Sequence, residues 1–296
     1  MRKSAGIGAG VLAIGLLMSG VSAAIEVQGH RGARGYKPED TLPAFEHALK
    51  AGVDVLELDT CVTKDQRLII SHDQTPNPVI CKWDDGREVD PNVPLFSMTL
   101  AEIKKLDCGS LKNPRFPEQQ PVPGTRMPAL EELFDLVLQS KEPAAKNVMF
   151  NIETKMVPSG DGVINPDPVA FVKLLLGVVK KYHFEKRVMI QSFDHRSLAV
   201  VKELEPSIPI VPLVSDNLPD LVALTQNLKA SHVSPDFAWI TEEVVRDLHK
   251  VKVQVIPWTL NDEADFERAV RIGVDGIITD YPDKLIAFLK KKSLRK

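Results

Sequence analysis

Glu57 and Asp59 stand two residues apart in a run whose neighbours Val53, Val55 and Leu56 are apolar. Alternate residues of an extended strand share a face, so both carboxylates point the same way. A third acid, Glu153, closes the run Asn151-Ile152-Glu153, with Lys155 two residues beyond it. Three carboxylates brought to one place repel one another unless they hold protons or a cation. Hard oxygen donors favour Ca²⁺ or Mg²⁺ over zinc or copper. His30, in Gly29-His30-Arg31-Gly32, and His72, in Ser71-His72-Asp73, fall at the ends of similar runs. Two histidines beside carboxylates suit general acid–base work near neutral pH. Asp73 either turns the local chain or shares in that work. Arg31 and Lys155 supply positive charge. With one divalent cation they leave the constellation slightly positive, which suits a singly charged phosphodiester. The lone histidines His47, His183, His195, His232 and His249 read as structural.

These side chains need a frame that gathers strand ends. Past Ala24, β-rich runs alternate with helical patterns, which points to a parallel sheet with crossover helices. Strands are expected at 25–28, 53–59, 148–153, 188–191, 208–214, 232–234, 253–258 and 276–279. Helices are expected at 41–51, 129–139, 168–182, 195–204, 218–228, 241–250, 262–271 and 282–290. Eight such pairs fit a (β/α)₈ TIM barrel, whose active sites form at the C-terminal strand ends. No Gly-rich loop of the GxGxxG or P-loop kind opens a helix, which weighs against a doubly wound sheet. The run 67–71 follows the second strand too closely for a crossover, so it returns antiparallel as a hairpin. After it comes an insertion, 74–128, holding nine of the chain's 22 prolines. It is expected to be irregular, with one helix at 99–106, and to wall or cap the barrel mouth.

Composition agrees with one globular domain over 25–296. The 296 residues are 44% hydrophobic and 26% charged, which excludes a disordered or multi-span membrane protein. The net charge is −3, and Arg2 and Lys3 stand in a segment without acids, so the remainder is more acidic still. Such a surface argues against nucleic acid and anionic membranes as partners, and for a small-molecule ligand. Arg2-Lys3, the apolar run 7–18 and Val21-Ser22-Ala23-Ala24 have the form of a cleaved signal over 1–24, too short to span a bilayer. Export to the periplasm or beyond is the expectation, with no stable membrane insertion after cleavage. Of three cysteines, Cys81 and Cys108 lie in the insertion and are candidates for a disulfide, with Cys61 a buried thiol.

Seven motifs in order carry a resemblance through nearly all of the chain past the signal. They are His30-Arg31-Gly32, Glu57-Leu58-Asp59, Ser71-His72-Asp73, Ile152-Glu153-Thr154-Lys155, Gln191-Ser192-Phe193-Asp194, Trp258-Thr259-Leu260-Asn261 and Asp275-Gly276-Ile277-Ile278-Thr279-Asp280-Tyr281-Pro282. Together they resemble the glycerophosphodiester phosphodiesterase family, which is similar in fold and chemistry to phosphatidylinositol-specific phospholipases C. The resemblance implies a (β/α)₈ barrel that hydrolyses glycerophosphodiesters, such as glycerophosphocholine and glycerophosphoethanolamine, to sn-glycerol 3-phosphate and an alcohol. It implies one divalent cation, Ca²⁺ or Mg²⁺, on Glu57, Asp59 and Glu153, with His30 and His72 as the acid–base pair and Arg31 and Lys155 on the phosphate. It further implies attack by the glycerol 2-hydroxyl, giving a cyclic phosphate that water opens. Trp258 and Phe193 are candidates for the glycerol side of the pocket, with core packing the other reading of Phe193. Thr154 departs from many members but faces away from the ligands. Two other readings compete: a lysophospholipase D or sphingomyelinase D-like lipid phosphodiesterase, and a non-catalytic surface or solute-binding protein.

Overall fold

A computed structural model describes residues 24–295. The expected signal, 1–24, lies outside the described residues but for Ala24. In chain order the elements are β1 (Glu26–Gly29), α1 (Leu42–Ala51), β2 (Val55–Val62), β3 (Leu68–Ile70), β4 (Lys82–Trp83), α2 (Leu100–Ile103), β5 (Leu106–Asp107), α3 (Leu130–Gln139), β6 (Met149–Thr154) and α4 (Pro168–Lys181). There follow β7 (Val188–Ser192), α5 (His195–Leu204), β8 (Ile210–Val214), α6 (Leu221–Leu228), β9 (His232–Pro235), α7 (Glu242–Lys250), β10 (Gln254–Val255), α8 (Glu263–Ile272), β11 (Gly276–Thr279) and α9 (Pro282–Lys291).

Eight strands run parallel in the order β10-β9-β8-β7-β6-β2-β1-β11. The two ends of that order meet where Asp275 N–H donates to the Val255 carbonyl and Ile278 N–H to the Pro257 carbonyl, both at 3.0 Å. The result is a nearly closed (β/α)₈ barrel with helices between the strands. All eight strands lie where the apolar runs put them. The seventh, β10, is shorter than its run because Pro257 has no N–H to extend the ladder. Local sequence also stops and starts the helices. Asp167, just before Pro168, accepts the N–H groups of Val169 and Ala170, and Asp262 accepts that of Asp265. Gly52 and Gly273 end α1 and α8 in the left-handed conformation that glycine adopts without cost. The main core lies between strands and helices, with Phe45, Phe134, Phe150, Phe171 and Phe266 fully buried.

The hairpin is as expected: β3 pairs antiparallel with β2, Thr60 opposite Ile70 and Val62 opposite Leu68. The insertion departs from expectation in one element. Instead of a helix over 99–106 there is one turn, α2, set by a capping box between Thr99 and Glu102. The chain then extends, because β5 pairs with β4 in a register that sets Lys82 opposite Asp107. One step further along that register Cys81 and Cys108 are joined by a disulfide, and the insertion has its own small core of Cys61, Ile69, Leu95, Ile103, Leu106 and Met127. Cys61 is free and buried. The bridge closes a loop of 27 residues, which stabilises by about 3 kcal/mol through the unfolded chain. Thiol titration of the denatured, unreduced protein is therefore expected to count one thiol, and reduction should lower the melting temperature. A count of three would remove the bond.

Candidate active site

The strand ends open on a cleft of about 330 Å³ lined by His30, Arg31, Glu57, Asp59, His72, Glu153, Phe193 and Trp258, among others. Parallel pairing does the gathering. The β2–β6 register sets Asp59 beside Glu153, and the β1–β2 register brings the end of β1 alongside. After β1 the chain turns sharply, with Gly32 N–H donating to the Gly29 carbonyl. Arg31 and Gly32 both have positive φ, and a Cβ on Gly32 would sit 2.6 Å from the Ala44 backbone, so only glycine fits there. This turn presents His30 and Arg31 to the cleft.

Glu57, Asp59 and Glu153 are buried, and one oxygen of each lies within 4.8 Å of the others. Glu57 accepts from Gln191 Nε2 at 2.6 Å and from the Arg31 N–H at 2.8 Å. Burial, then the Asp59 charge, pushes the Glu57 carboxyl well above the usual range. Burial likewise carries Glu153 up to about 8, although Lys155 Nζ lies 2.8 Å away. Burial acts upward on Asp59 too, but Lys155 and Arg31 together outweigh it and hold Asp59 ionised. Arg31 Nε stands 3.1 Å from Asp59 Oδ2, yet that oxygen is buried without a hydrogen-bond donor. An orphaned carboxylate oxygen among two carboxylates of raised pKa is the condition a hard divalent cation relieves, so the trio fits one.

His30 donates or accepts at Nδ1 with Asp280 Oδ1, 2.8 Å away, while Nε2 lies 4.0 Å from Glu57. Asp280, though buried, is kept ionised by the hydrogen bond from His30 and by Arg34, whose Nε is 2.5 Å from it. An ionised Asp280 can only accept, so Nδ1 carries the proton and donates to it, which leaves the lone pair on Nε2. Burial, then the Arg34 charge, lowers His30 to about 3 against the pull of Asp280, so the ring is neutral at ordinary pH. His72 is half-buried, with Nδ1 2.8 Å from Asp73 Oδ1, and Asp73 is fixed by Asn77 Nδ2 at 2.7 Å. Asp73 thus orients a histidine. Phe193 is 43% exposed and meets Trp258 edge-on at 5.7 Å, so it lines the cleft and is no part of the core. Thr154 turns away, bonded to Ser197.

The structure brings all nine of the sequence-proposed side chains to this cleft or its wall. It adds Arg34, Asp40, Gln191, Asn261 and Asp280, to which sequence reasoning gave no role. Gln191 links Glu57 to Asn151 and through it to Gln28 across the barrel, and Asn261 Nδ2 holds Asp280 at 2.7 Å. Asp40 is a further buried carboxyl beside the trio, pushed up by burial and Asp59. The usable signal was position: Gln191 and Asp280 both stand at or just past strand ends. None of the five other histidines lines the cleft; His47 stacks on Tyr36, and His249 bonds Asp275.

The glycerophosphoryl diester phosphodiesterase family model matches residues 30–284. A glycerophosphodiester phosphodiesterase of Caldanaerobacter subterraneus is 34% identical, covering 88% of this chain and 96% of its own. A solved structure from Silicibacter pomeroyi, named for the same activity, superposes with a TM-score of 0.85 at 30% identity, over 92% of this chain and 95% of that one. An Oleispira antarctica phosphodiesterase, solved with the product sn-glycerol-3-phosphate, shares the fold at a TM-score of 0.73 and 22% identity, over 90% and 96% of the two chains.

Proposed function

Because this chain belongs to the glycerophosphoryl diester phosphodiesterase family, we propose that it splits glycerophosphodiesters, including those of choline and ethanolamine, into sn-glycerol 3-phosphate and the free alcohol. The observation that carries this reading is the joining of the buried carboxylate trio and both histidines in one cleft. The Oleispira relative's product supports the glycerol 3-phosphate half. Glu57, Asp59 and Glu153 would hold one divalent cation, Ca²⁺ or Mg²⁺. When bound it would supply positive charge to the non-bridging phosphoryl oxygens and so lower the barrier to displacement of the alcohol from phosphorus.

The protein's own groups do the rest. Arg31 and Lys155 offer charge to the phosphate, already aligned by Asp59, Glu39 and Glu153. His30, neutral and with Nε2 unprotonated, takes the proton of the attacking glycerol 2-hydroxyl. His72, oriented by Asp73, gives a proton to the departing alcohol. The roles reverse when water opens the cyclic phosphate. Phe193 and Trp258 offer an apolar wall to the glycerol carbons. Export, read from residues 1–24, would place this work in the periplasm or outside the cell.

The test is release of glycerol 3-phosphate from glycerophosphocholine and glycerophosphoethanolamine. Activity is expected to vanish with a chelator and to return with Ca²⁺ or Mg²⁺. Undiminished activity after exhaustive chelation removes the cation, and turnover of a micellar lysolipid alone favours the lipid phosphodiesterase reading.

A further inference from the structure

Every cation on the cleft floor is already matched. Arg31 lies on Glu39 and Asp59, Arg34 on Asp280, and Lys155 on Glu153. Arg115 is different. It lines the same cleft from the insertion, is exposed, and has no ion-pair partner among the described residues. It is not on a loose segment. Its N–H donates to Asn113 Oδ1 at 3.0 Å, and the Asn113 N–H to Gln119 Oε1 at 3.2 Å. Gln119 Nε2 in turn donates to the Arg34 carbonyl at 2.7 Å and that of Lys37 at 3.1 Å. The next residue, Phe116, is buried, with the Arg34 guanidinium 4.9 Å and the Arg115 guanidinium 5.8 Å from its ring. A tight turn of the insertion is thus pinned to the β1 side of the barrel mouth and holds a free guanidinium over the cleft.

Resting on the phosphodiesterase reading above, we infer that Arg115 selects diesters whose alcohol carries a second anion, a carboxylate or a phosphate. The one charge of the scissile diester is met on the floor by the cation site and Arg31. A guanidinium at the rim faces the part of the substrate that reaches the mouth. An unpaired guanidinium there attracts an anion by charge-assisted hydrogen bonds and repels a quaternary ammonium.

The experiment compares kcat/KM for four diesters of glycerol 3-phosphate at fixed cation and low ionic strength, with wild type, Arg115→Ala and Arg115→Glu. The alcohols are glycerol, glycerol phosphate, serine and choline. Arg115→Ala is expected to lower the ratio of the glycerol phosphate or serine diester to the glycerol diester at least about tenfold, chiefly through KM. Arg115→Glu should lower it further and raise the choline diester relative to the glycerol diester. Comparing the serine and glycerol phosphate arms tells which anion is preferred. Ratios unchanged within twofold overturn the inference. So does an equal loss on all four substrates, which would put Arg115 on the scissile phosphate. If wild type turns over none of the four, the underlying reading falls and takes this one with it.

Discussion

Glu57→Gln is expected to cut turnover of a glycerophosphodiester by about 10³-fold or more, the several kcal/mol that a bound cation supplies to the transition state. Calorimetric titration with Ca²⁺ or Mg²⁺ should show the same variant binding the ion far more weakly. The fold should survive. Glu57 is buried beside Asp59 and Glu153, and burial with the Asp59 charge disfavours its ionised form. Losing that charge removes a cost from the metal-free protein. Against it, the amide cannot accept from both Gln191 and the Arg31 N–H, a conflict of about 1–3 kcal/mol. The two oppose, so the melting temperature should move little. Asp59→Asn should behave otherwise, because Asp59 balances Arg31 and Lys155. Removing it leaves buried positive charge less compensated and should cost about 3 kcal/mol.

The pH dependence of that metal-free protein follows with a definite sign. Glu153 is raised from 4.5 to about 8 in the folded chain, so between those values the folded state binds more protons than the unfolded one. Stability attributable to it is present below pH 4.5 and is lost as pH rises toward 8. Added cation should flatten this fall. Unchanged activity in Glu57→Gln, with cation affinity retained, would remove the carboxylate trio from the mechanism.

Most of the frame and the greater part of the site were legible in the sequence, for a physical reason. Strand position is a local property: apolar runs with an acid at the C-terminal end are visible within seven residues, as in Val53 to Asp59. In a parallel barrel that alone brings Glu57, Asp59 and Glu153 together, since every strand ends at the same face. What stayed hidden depends on closure of the ring. His30 and Asp280 are 250 residues apart and meet only because β1 pairs with β11. Arg34 faces Asp280 across 246 residues for the same reason. Gln191 reads as an ordinary strand-end residue until pairing sets it against Glu57. The insertion was legible as irregular, but not the β4–β5 pairing that shortens its helix, because two-residue strands carry no periodicity.

His30→Ala and His72→Ala are each expected to lower kcat/KM ~10²–10⁴-fold, the range of a lost proton transfer. The double variant should lose less than the product of the two, as groups acting as one unit do. Cation affinity should change little in either, since neither ring is placed as a ligand. Their proposed roles differ. His30 is neutral down to about pH 3 because burial and Arg34 disfavour its charge, and ionised Asp280 fixes its proton on Nδ1. It therefore starts unprotonated at Nε2, the state a base needs, with Asp280 beside it to stabilise the imidazolium once formed. Acid inactivation of the enzyme above pH 4 is then not protonation of free His30, and the limbs of the pH profile belong to the pair. A diester with a nitrophenol leaving group needs almost no proton from an acid but still needs the attacking hydroxyl deprotonated. On that substrate His72→Ala should recover most of its loss, whereas His30→Ala should stay crippled. Recovery of His30→Ala instead would exchange the two roles. Equal failure of both, or loss of cation binding in either, would overturn the division altogether.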